Sequence, residues 1–85
     1  MQQFSYVITD EIGIHARPAG MLVKVAKNFK SKITLNGKEK TADATKLMAV
    51  MSMGIKCGDT VEVSVEGEDE TAAAAELETF FKENL

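Results

Sequence analysis

The apolar residues of this chain recur with two different periods, and the switch between them constrains the fold more than any other feature. Between residues 4 and 9 every second residue is large and apolar, and the same alternation returns in Val61, Val63 and Val65. A period of two in segments rich in β-forming residues predicts strands. Residues 32–35 predict a third strand, so the chain contains enough strand sequence for a small sheet.

Asn36 and Gly37 separate the predicted strand at residues 32–35 from the polar segment 38–41. Both central positions of a two-residue hairpin turn need positive φ, which asparagine and glycine adopt readily. We therefore predict a turn at Asn36 and Gly37, followed by a short polar strand at the edge of the sheet.

The apolar residues change to a helical period after residue 15. A helix is predicted over residues 16–28, and Pro18 falls in its first turn, where the missing N–H has no intrahelical partner. The apolar stripe of this helix consists of Ala19, Leu22, Val23 and Ala26, and Phe29 continues it. Lys24 and Lys27 lie off the stripe, so the helix is expected to have a buried face and a solvated face.

Two further helices are predicted in the second half of the chain. Residues 47–51 form a compact apolar group that ends at Gly54, and this group has more apolar surface than a short helix needs. The last helix is expected to begin at Asp69 or Thr71. Its predicted buried stripe consists of Ala73, Leu77, Phe80 and Phe81.

The predicted order is therefore β-α-β-β-α-β-α in a chain of 85 residues. Each strand has one apolar side and each long helix has one apolar stripe. An α+β fold satisfies both, with a four-stranded antiparallel sheet and three helices packed on one face. We expect residues 1–85 to form a single domain, because a chain of this length holds only one core.

Composition excludes several classes of protein. The one cysteine, Cys57, rules out an intrachain disulfide and a cysteine-based zinc site, and the sequence suggests no other metal site and no cofactor. No segment resembles a signal peptide or a membrane-spanning helix, so we expect a cytoplasmic protein. The net charge of −3 argues against a nucleic-acid-binding protein, which needs a basic face.

The single histidine, His15, lies where a loop meets the first turn of the predicted helix at residues 16–28. Backbone N–H groups at a helix start lack intrahelical acceptors and favour anions. Arg17 adds a guanidinium that matches phosphate oxygens, and an imidazole is a competent nucleophile near neutral pH. These residues indicate either a covalently phosphorylated histidine or a reversible anion site. A solvated or capping histidine is the alternative without function.

Two other features have ordinary explanations beside their functional ones. Cys57 lies in a predicted loop, and a redox role needs a lowered thiol pKa, for which only Lys56 offers support. The acidic run at residues 66–70 could suggest a metal site. We expect instead that its carboxylates stabilise the start of the last helix and the turn before it.

The segment GIHARPA, at residues 13–19, resembles the active-centre signature of the HPr family. These are the histidine-containing phosphocarriers of the bacterial phosphoenolpyruvate:sugar phosphotransferase system. The similarity extends over nearly the whole chain without gaps, through NGK at 36–38, LMAVMSMG at 47–54, GDTV at 58–61 and EGEDE at 66–70.

The resemblance implies an open-faced β-sandwich and a phosphocarrier that is not itself an enzyme. His15 would accept a phosphoryl group at Nδ1, the pros nitrogen, from enzyme I that phosphoenolpyruvate has charged. It would then pass the group to enzyme IIA domains of sugar permeases. Arg17 would neutralise the phosphoryl oxygens, and the first helical turn, with Ala16, Arg17 and Pro18, would bind them. A carrier that serves successive partners is expected to be a monomer.

The resemblance also implies a partner-docking surface. Leu47, Met48 and Met51 match the family's apolar docking patch, with Gly20 beside it, although plain core packing is the alternative for each apolar residue. Gly20 stands where the family more often has a larger residue, and glycine should destabilise the helix by roughly 1 kcal/mol relative to alanine.

Lys46 occupies the position of a regulatory serine found in many family members. Lysine cannot accept a phosphoryl group from the serine kinase of that switch, and Thr45 and Ser52 do not fall in the matching register. We expect no serine-linked regulation at this position and a permanent cation beside the patch.

Two other functions stay open at the level of sequence. One is a related relay that serves nitrogen or other regulation, which its enzyme I homologue and its acceptors would identify. The other is a binding module in which Met48 and Met51 recruit a transcription factor and His15 is structural.

Overall fold

A computed structural model describes residues 1–10, 16–37 and 40–85 of the chain, with only the backbone of residue 16. Its elements follow the predicted order: β1 (Gln2–Val7), α1 (Ala16–Lys27), β2 (Lys32–Asn36), β3 (Thr41–Asp43), α2 (Leu47–Ser52), β4 (Thr60–Glu66) and α3 (Glu70–Asn84). The predicted α+β fold is confirmed.

The strands form one antiparallel sheet in the order β1-β4-β2-β3. Val63, at the centre of β4, pairs with Phe4 of β1 on one side and with Leu35 of β2 on the other. The alternation seen in the sequence becomes two faces, since Val61, Val63 and Val65 are fully buried while the polar residues between them face outward. One face of the sheet is therefore core, and the other is open and polar.

The three helices cover the apolar face of the sheet. The predicted stripes of α1 and α3 are buried within the helices: Ala19, Leu22, Val23 and Ala26 in α1, and Ala73, Leu77, Phe80 and Phe81 in α3. Phe29, which continues the first stripe in the sequence, lies beyond α1 and is half-buried. The ring of Phe81 meets the rings of Phe4 and Tyr6 edge to face, with centroid distances of 5.8 Å and 5.7 Å. Such pairs stabilise a core beyond the area that they bury.

The predicted turn at Asn36 and Gly37 is wrong, although the hairpin exists. Asn36 is the last residue of β2 and pairs with Thr41, and Gly37 N–H donates to the Lys40 carbonyl at 2.8 Å. Neither Asn36 nor Gly37 has positive φ. Asn36 also pairs with Glu62 of β4, and this pairing keeps it in extended backbone. Residues 38 and 39, predicted to begin the second strand of the hairpin, lie outside the described residues.

The first strand begins two residues earlier than predicted, because Gln2 and Gln3 pair with Val65 and Ser64. Ile8, expected inside the strand, lies just beyond it and is still buried. Its N–H donates to the Asp59 carbonyl at 2.9 Å, and its carbonyl accepts from Gly58 N–H at 2.8 Å. Backbone hydrogen bonds to the segment before β4 therefore continue past the last residue of β1.

The acidic run does more than stabilise the start of α3. Asp69 makes no side-chain cap to its own helix. Its carboxylate instead accepts from the backbone N–H groups of Lys30 and Ser31, at 2.8 Å and 2.9 Å, and from the Ser31 hydroxyl. These bonds, the Ser31 hydroxyl foremost, hold the pKa of Asp69 below its ordinary value. Glu70 behaves as predicted, since it accepts from Gly67 N–H in the preceding turn at 3.3 Å.

Gly67 is required because its backbone lies close to Ser31, and the hydrogen bonds of Asp69 hold these two segments together. Its φ is +155°, and a Cβ at this position would lie 2.6 Å from the Cα of Ser31. The backbone of the β4–α3 turn therefore packs directly on the loop between α1 and β2, and only glycine leaves the room.

We predict that Gly67→Ala lowers the free energy of unfolding by about 2 kcal/mol, because the new methyl group meets backbone that cannot move aside cheaply. Gly58→Ala is the matched control. Gly58 has a φ of +91°, and apart from its two chain neighbours no described residue has an atom within 4 Å of its Cβ position. That variant should lose only the cost of placing alanine at positive φ, which lowers the free energy of unfolding by about 1 kcal/mol. Urea unfolding measures both, and an equal or smaller loss for Gly67→Ala would contradict the contact.

Candidate functional site

Helix α1 begins at Ala16, immediately after the histidine. Arg17 is exposed and Pro18 is buried, so the first turn presents a guanidinium to solvent while the proline ring packs inward. Pro18 stands where its fixed φ suits a helix start. His15 itself lies outside the described residues, and of Ala16 only the backbone is described. The predicted start of the helix is confirmed.

Thr9 and Asp10, which lead toward residue 15, are held in place by the end of α3. The main-chain oxygen of Leu85 accepts from the N–H groups of Thr9 and Asp10, at 2.5 Å and 2.8 Å, and from the Thr9 hydroxyl at 3.0 Å. Leu85 is buried, so these bonds form in a sheltered place. The described chain is thus held on both sides of residues 11–15, by Leu85 before them and by α1 after them.

A shallow depression of about 230 Å³ lies at the start of α1. It is lined by Asp10, Arg17, Pro18, Met21 and Asn84. The guanidinium of Arg17 and the first turn of α1 lie at this depression together with the carboxylate of Asp10. A cation at a helix start favours an anion. The depression is open to solvent.

Three of the apolar side chains of α2 point away from the core. Leu47, Met48 and Met51 are 40%, 77% and 39% exposed, whereas Val50 is buried. Core packing therefore accounts for Val50 and does not account for the other three. They form an apolar patch on a short helix that packs against α1. Exposed apolar groups of this kind mark interaction surfaces when they lie together.

Met21 is a member of the exposed apolar set that sequence reasoning missed. Its side chain is 42% exposed on α1, and it lines the same depression as Arg17. The signal was present, because Met21 is an apolar residue off the buried stripe of its helix. It adds an exposed apolar side chain to the surroundings of Arg17.

The segment before α2 is held by a carboxylate. Asp43 Oδ1 accepts from the N–H of Thr45 at 2.9 Å and from its hydroxyl at 2.6 Å. These bonds, the hydroxyl first, lower the pKa of Asp43. The hydroxyl of Thr45 thus has a partner within the fold, and the hydroxyl of Ser52 donates to the Ala49 carbonyl at 2.8 Å.

Lys46 stands at the residue that caps α2. Its backbone is extended, with φ −112° and ψ 104°, and its side chain makes no capping bond. The side chain is exposed. Position 46 is therefore accessible, lies directly before the apolar patch and carries a cation without a hydroxyl.

Cys57 and the acidic residues were the other candidates in the sequence. Cys57 is exposed, and its Sγ lies 3.9 Å from the Thr9 carbonyl oxygen. Within the described ranges no three histidine, cysteine or acidic residues are arranged to hold a metal ion. None of the helices described there is long and apolar enough to cross a membrane.

Comparison with known proteins identifies the family. The family model of the PTS HPr component phosphorylation site matches residues 2–83. The chain belongs to the HPr family. The phosphocarrier protein HPr of Mycoplasma capricolum is 44% identical over 69 residues, which cover 81% of this chain and 78% of the relative. The chain is therefore a phosphocarrier of the phosphotransferase system.

Solved structures of HPr proteins share the whole fold. The histidine-containing phosphocarrier protein of Mycoplasma superposes with a TM-score of 0.91 at 38% identity, over 93% of this chain and 90% of that one. Crh, the catabolite repression containing protein of Bacillus subtilis, superposes with a TM-score of 0.78 at 30% identity, over 100% and 98%. Its structure is described as a dimer with a swapped domain.

Proposed function

We propose that His15 is the phosphoryl acceptor and that it receives the group from enzyme I charged by phosphoenolpyruvate. It then passes the group to enzyme IIA domains of sugar permeases. The observation that carries this proposal is the match of the family's phosphorylation-site model across residues 2–83, a range that contains the only histidine of the chain. The anion-favouring start of α1 beside that histidine supports it.

The transfer step requires few catalytic groups from the carrier itself. The Nδ1 lone pair of His15 attacks phosphorus, an N–P bond forms, and the bond between phosphorus and the donor's leaving group breaks. Charge on the phosphoryl oxygens meets the amides of Ala16 and Arg17 and the guanidinium of Arg17, while Pro18 fixes the backbone of the turn. Phosphoryl transfer depends mainly on positioning and charge neutralisation, which this helix start supplies. The partner supplies the remaining catalytic groups, so the chain is a carrier and not an enzyme.

The exposed apolar residues supply the docking surface in this proposal. Leu47, Met48 and Met51 are exposed on α2 and Met21 on α1, and methionine adapts to differently shaped partners. The exposed cations Arg17, Lys24 and Lys46 lie on the same two helices or at their starts. An acidic partner surface with an apolar centre fits this arrangement. Gly20 belongs to the same face of α1.

Residues 1–85 act as one phosphocarrier domain in the cytoplasm, where enzyme I and the enzyme IIA domains exchange phosphoryl groups. We propose a monomer, because a single exposed site must reach successive partners. Sedimentation equilibrium tests this state directly. A dimer at working concentration, like that of Crh, would contradict it.

We predict that the purified protein gains one acid-labile phosphoryl group when mixed with enzyme I and phosphoenolpyruvate. The group should be absent from His15→Ala, since no other imidazole is present. Intact mass after a timed reaction gives the result. Arg17→Ala should reach the same final mass about ten-fold more slowly, because one charge-assisted interaction is lost. An enzyme IIA domain added afterwards should remove the group.

An enzyme I that phosphorylates a control carrier but leaves the wild type unmodified would contradict the proposed donor. In that case a homologous enzyme I from a regulatory relay becomes the next donor to test. If the His15→Ala variant kept full affinity for a partner while the wild type was never phosphorylated, the protein would act as a binding module instead.

We predict that Met48→Asp raises the KM for charging by enzyme I about ten-fold while kcat changes little. The carboxylate disrupts an apolar contact that is made equally before and during transfer. Ala75→Asp is the matched control, since it adds the same charge at an exposed position of α3. Initial rates over a range of carrier concentrations separate the two constants. An unchanged KM for Met48→Asp would remove Met48 from the docking surface.

We predict that the protein is not modified at position 46 by the serine kinase of the family and ATP. Lys46 has no hydroxyl, and the nearest hydroxyl, that of Thr45, donates to Asp43 at 2.6 Å. The protein should therefore bind acidic partners whatever the kinase activity. An acid-stable phosphoryl group located near position 46 by peptide mass mapping would show this to be wrong.

A further inference from the structure

A depression of about 350 Å³ lies on the open face of the sheet, opposite the face that the three helices cover. It is lined by side chains from three strands and from the turn before β4: Ser5, Asn36, Asp59, Thr60 and Glu62. Gly37 and Gly58 complete the lining without adding a side chain. Because α1 and α2 pack on the other face of the sheet, the apolar patch of α2 does not account for this depression.

The hydrogen-bond acceptors of the depression stand in a row across three strands. Glu62 of β4 pairs with Ser5 of β1 on one side and with Asn36 of β2 on the other. Since neighbouring strands lie about 4.8 Å apart, the row is about 10 Å wide. The side-chain N–H group of Asn36 donates to the Glu62 carbonyl at 3.5 Å and to the Ser64 hydroxyl at 3.3 Å. The amide oxygen of Asn36 is left as an acceptor beside the Glu62 carboxylate.

The depression contains two carboxylates and no described cation. Asp59 accepts from the Lys56 N–H at 2.9 Å through Oδ2, which leaves Oδ1 available. Among the described residues neither Asp59 nor Glu62 forms an ion pair. Lys40 lines an adjoining depression, but its ammonium donates to the Ser52 carbonyl at 3.1 Å. Negative charge therefore faces solvent here without a described counter-charge.

Val7 is an independent feature of the same face. It pairs with Thr60, which lines the depression, and its side chain is 52% exposed. The other large apolar residues of the described strands are buried or half-buried. The exposed apolar residues Leu47, Met48 and Met51 lie on α2, so Val7 is not part of that patch. A molecule that suits both features has an apolar part for Val7 and a cation for the carboxylates.

We propose that this part of the open face is a second docking site, which binds an arginine side chain of a protein that does not exchange phosphoryl groups with the carrier. The planar guanidinium has five donors, and these reach the Glu62 carboxylate and the Asn36 oxygen together. The aliphatic stem of the arginine lies against Val7. The compact ammonium of lysine spans the row less well. A protein bound here leaves α1 and α2 free for phosphoryl transfer.

Charge favours a different protein over a second copy paired through the same face. Two such faces in contact would bring Asp59 and Glu62 of each copy against those of the other, and like charges at close range repel. A partner with a basic surface meets no such repulsion. The site is opposite in charge to the cationic surface around α1 and α2, so it selects partners of the opposite kind.

A short arginine peptide tests the site. The probe is acetyl-alanyl-arginyl-alaninamide, titrated into isotope-labelled protein at about 0.15 M salt, which screens unspecific attraction between charges. We expect saturable NMR shifts of the amide signals of Ser5, Asn36, Thr60 and Glu62, with a Kd on the order of 1 mM. The peptide with lysine should bind about three-fold more weakly. The peptide with citrulline, which keeps the shape of arginine without its charge, should give no saturable shift.

Variants of the protein separate the site from the net charge. Glu62→Gln should raise the Kd about ten-fold, because a charge-assisted hydrogen bond becomes a neutral one. Glu76→Gln is the matched control, since it removes the same charge at an exposed position of α3, and its Kd should stay within about two-fold of the wild type. Val7→Thr keeps the β-branched shape and replaces one methyl group by a hydroxyl, so it should raise the Kd about two-fold.

Four results would overturn the site. The first is the absence of saturable shifts with the arginine peptide, and the second is equal binding of the citrulline peptide. The third is an equal loss of binding in Glu62→Gln and Glu76→Gln, which would reduce the effect to net charge. The fourth is a shift of the same signals when the protein is concentrated without peptide, which would make a second copy the occupant.

Charging by enzyme I tests whether the two faces are separate. Glu62→Gln should be charged at the wild-type rate, with or without the arginine peptide at saturation. A slower rate would overturn the claim that a protein bound here leaves α1 and α2 free. If enzyme I did not charge even the wild type, the proposed function would fail, and the peptide titration would still decide the site.

Discussion

The packing of α3 against β1 is the contact on which both the core and the site depend. Phe81 places its ring against Phe4 and Tyr6 of the first strand, and this fixes the direction of the last helix across the sheet. At the end of the same helix, the main-chain oxygen of Leu85 holds Thr9 and Asp10. Because a buried aromatic contact and a site anchor lie on one helix, a change in core packing would move the chain that leads to His15.

The properties of the site follow from the surfaces of α1 and α2 that the fold leaves exposed. The helices cover one face of the sheet, and among the described residues the start of α1 and the outer side of α2 remain at the surface. Exposed helix N–H groups attract anions, and exposed methionines attract apolar partners. Exposed N–H groups at a helix start and exposed methionines lower the stability or the solubility of an isolated protein. Under the proposed function both features are useful, because the partner protein that exchanges the phosphoryl group covers them during transfer.

Local pattern predicted the elements well, and long-range contacts account for what it missed. The stripes of α1 and α3 and the alternation of β4 follow directly from periodicity, so their burial was foreseeable. The hairpin turn was misplaced because Asn36 pairs with Glu62, a residue 26 positions away that local turn preference cannot take into account. Asp69 reaches Lys30 and Ser31 from 39 and 38 positions away, and no local pattern predicts these partners. The chemistry of the site came from resemblance, since His15 and Arg17 alone left covalent phosphorylation and anion binding equally open.

Two glycines show how a structure separates folding requirements from functional ones. Gly67 is explained within the molecule, because a Cβ there would lie 2.6 Å from the backbone of Ser31. Gly20 has no such neighbour among the described residues, and its helix would be more stable with alanine. Gly67 is thus a requirement of folding, because its neighbours leave no room for a side chain. Gly20 lies half-exposed on the stripe of α1 between Arg17 and Lys24, where the described neighbours set no such requirement.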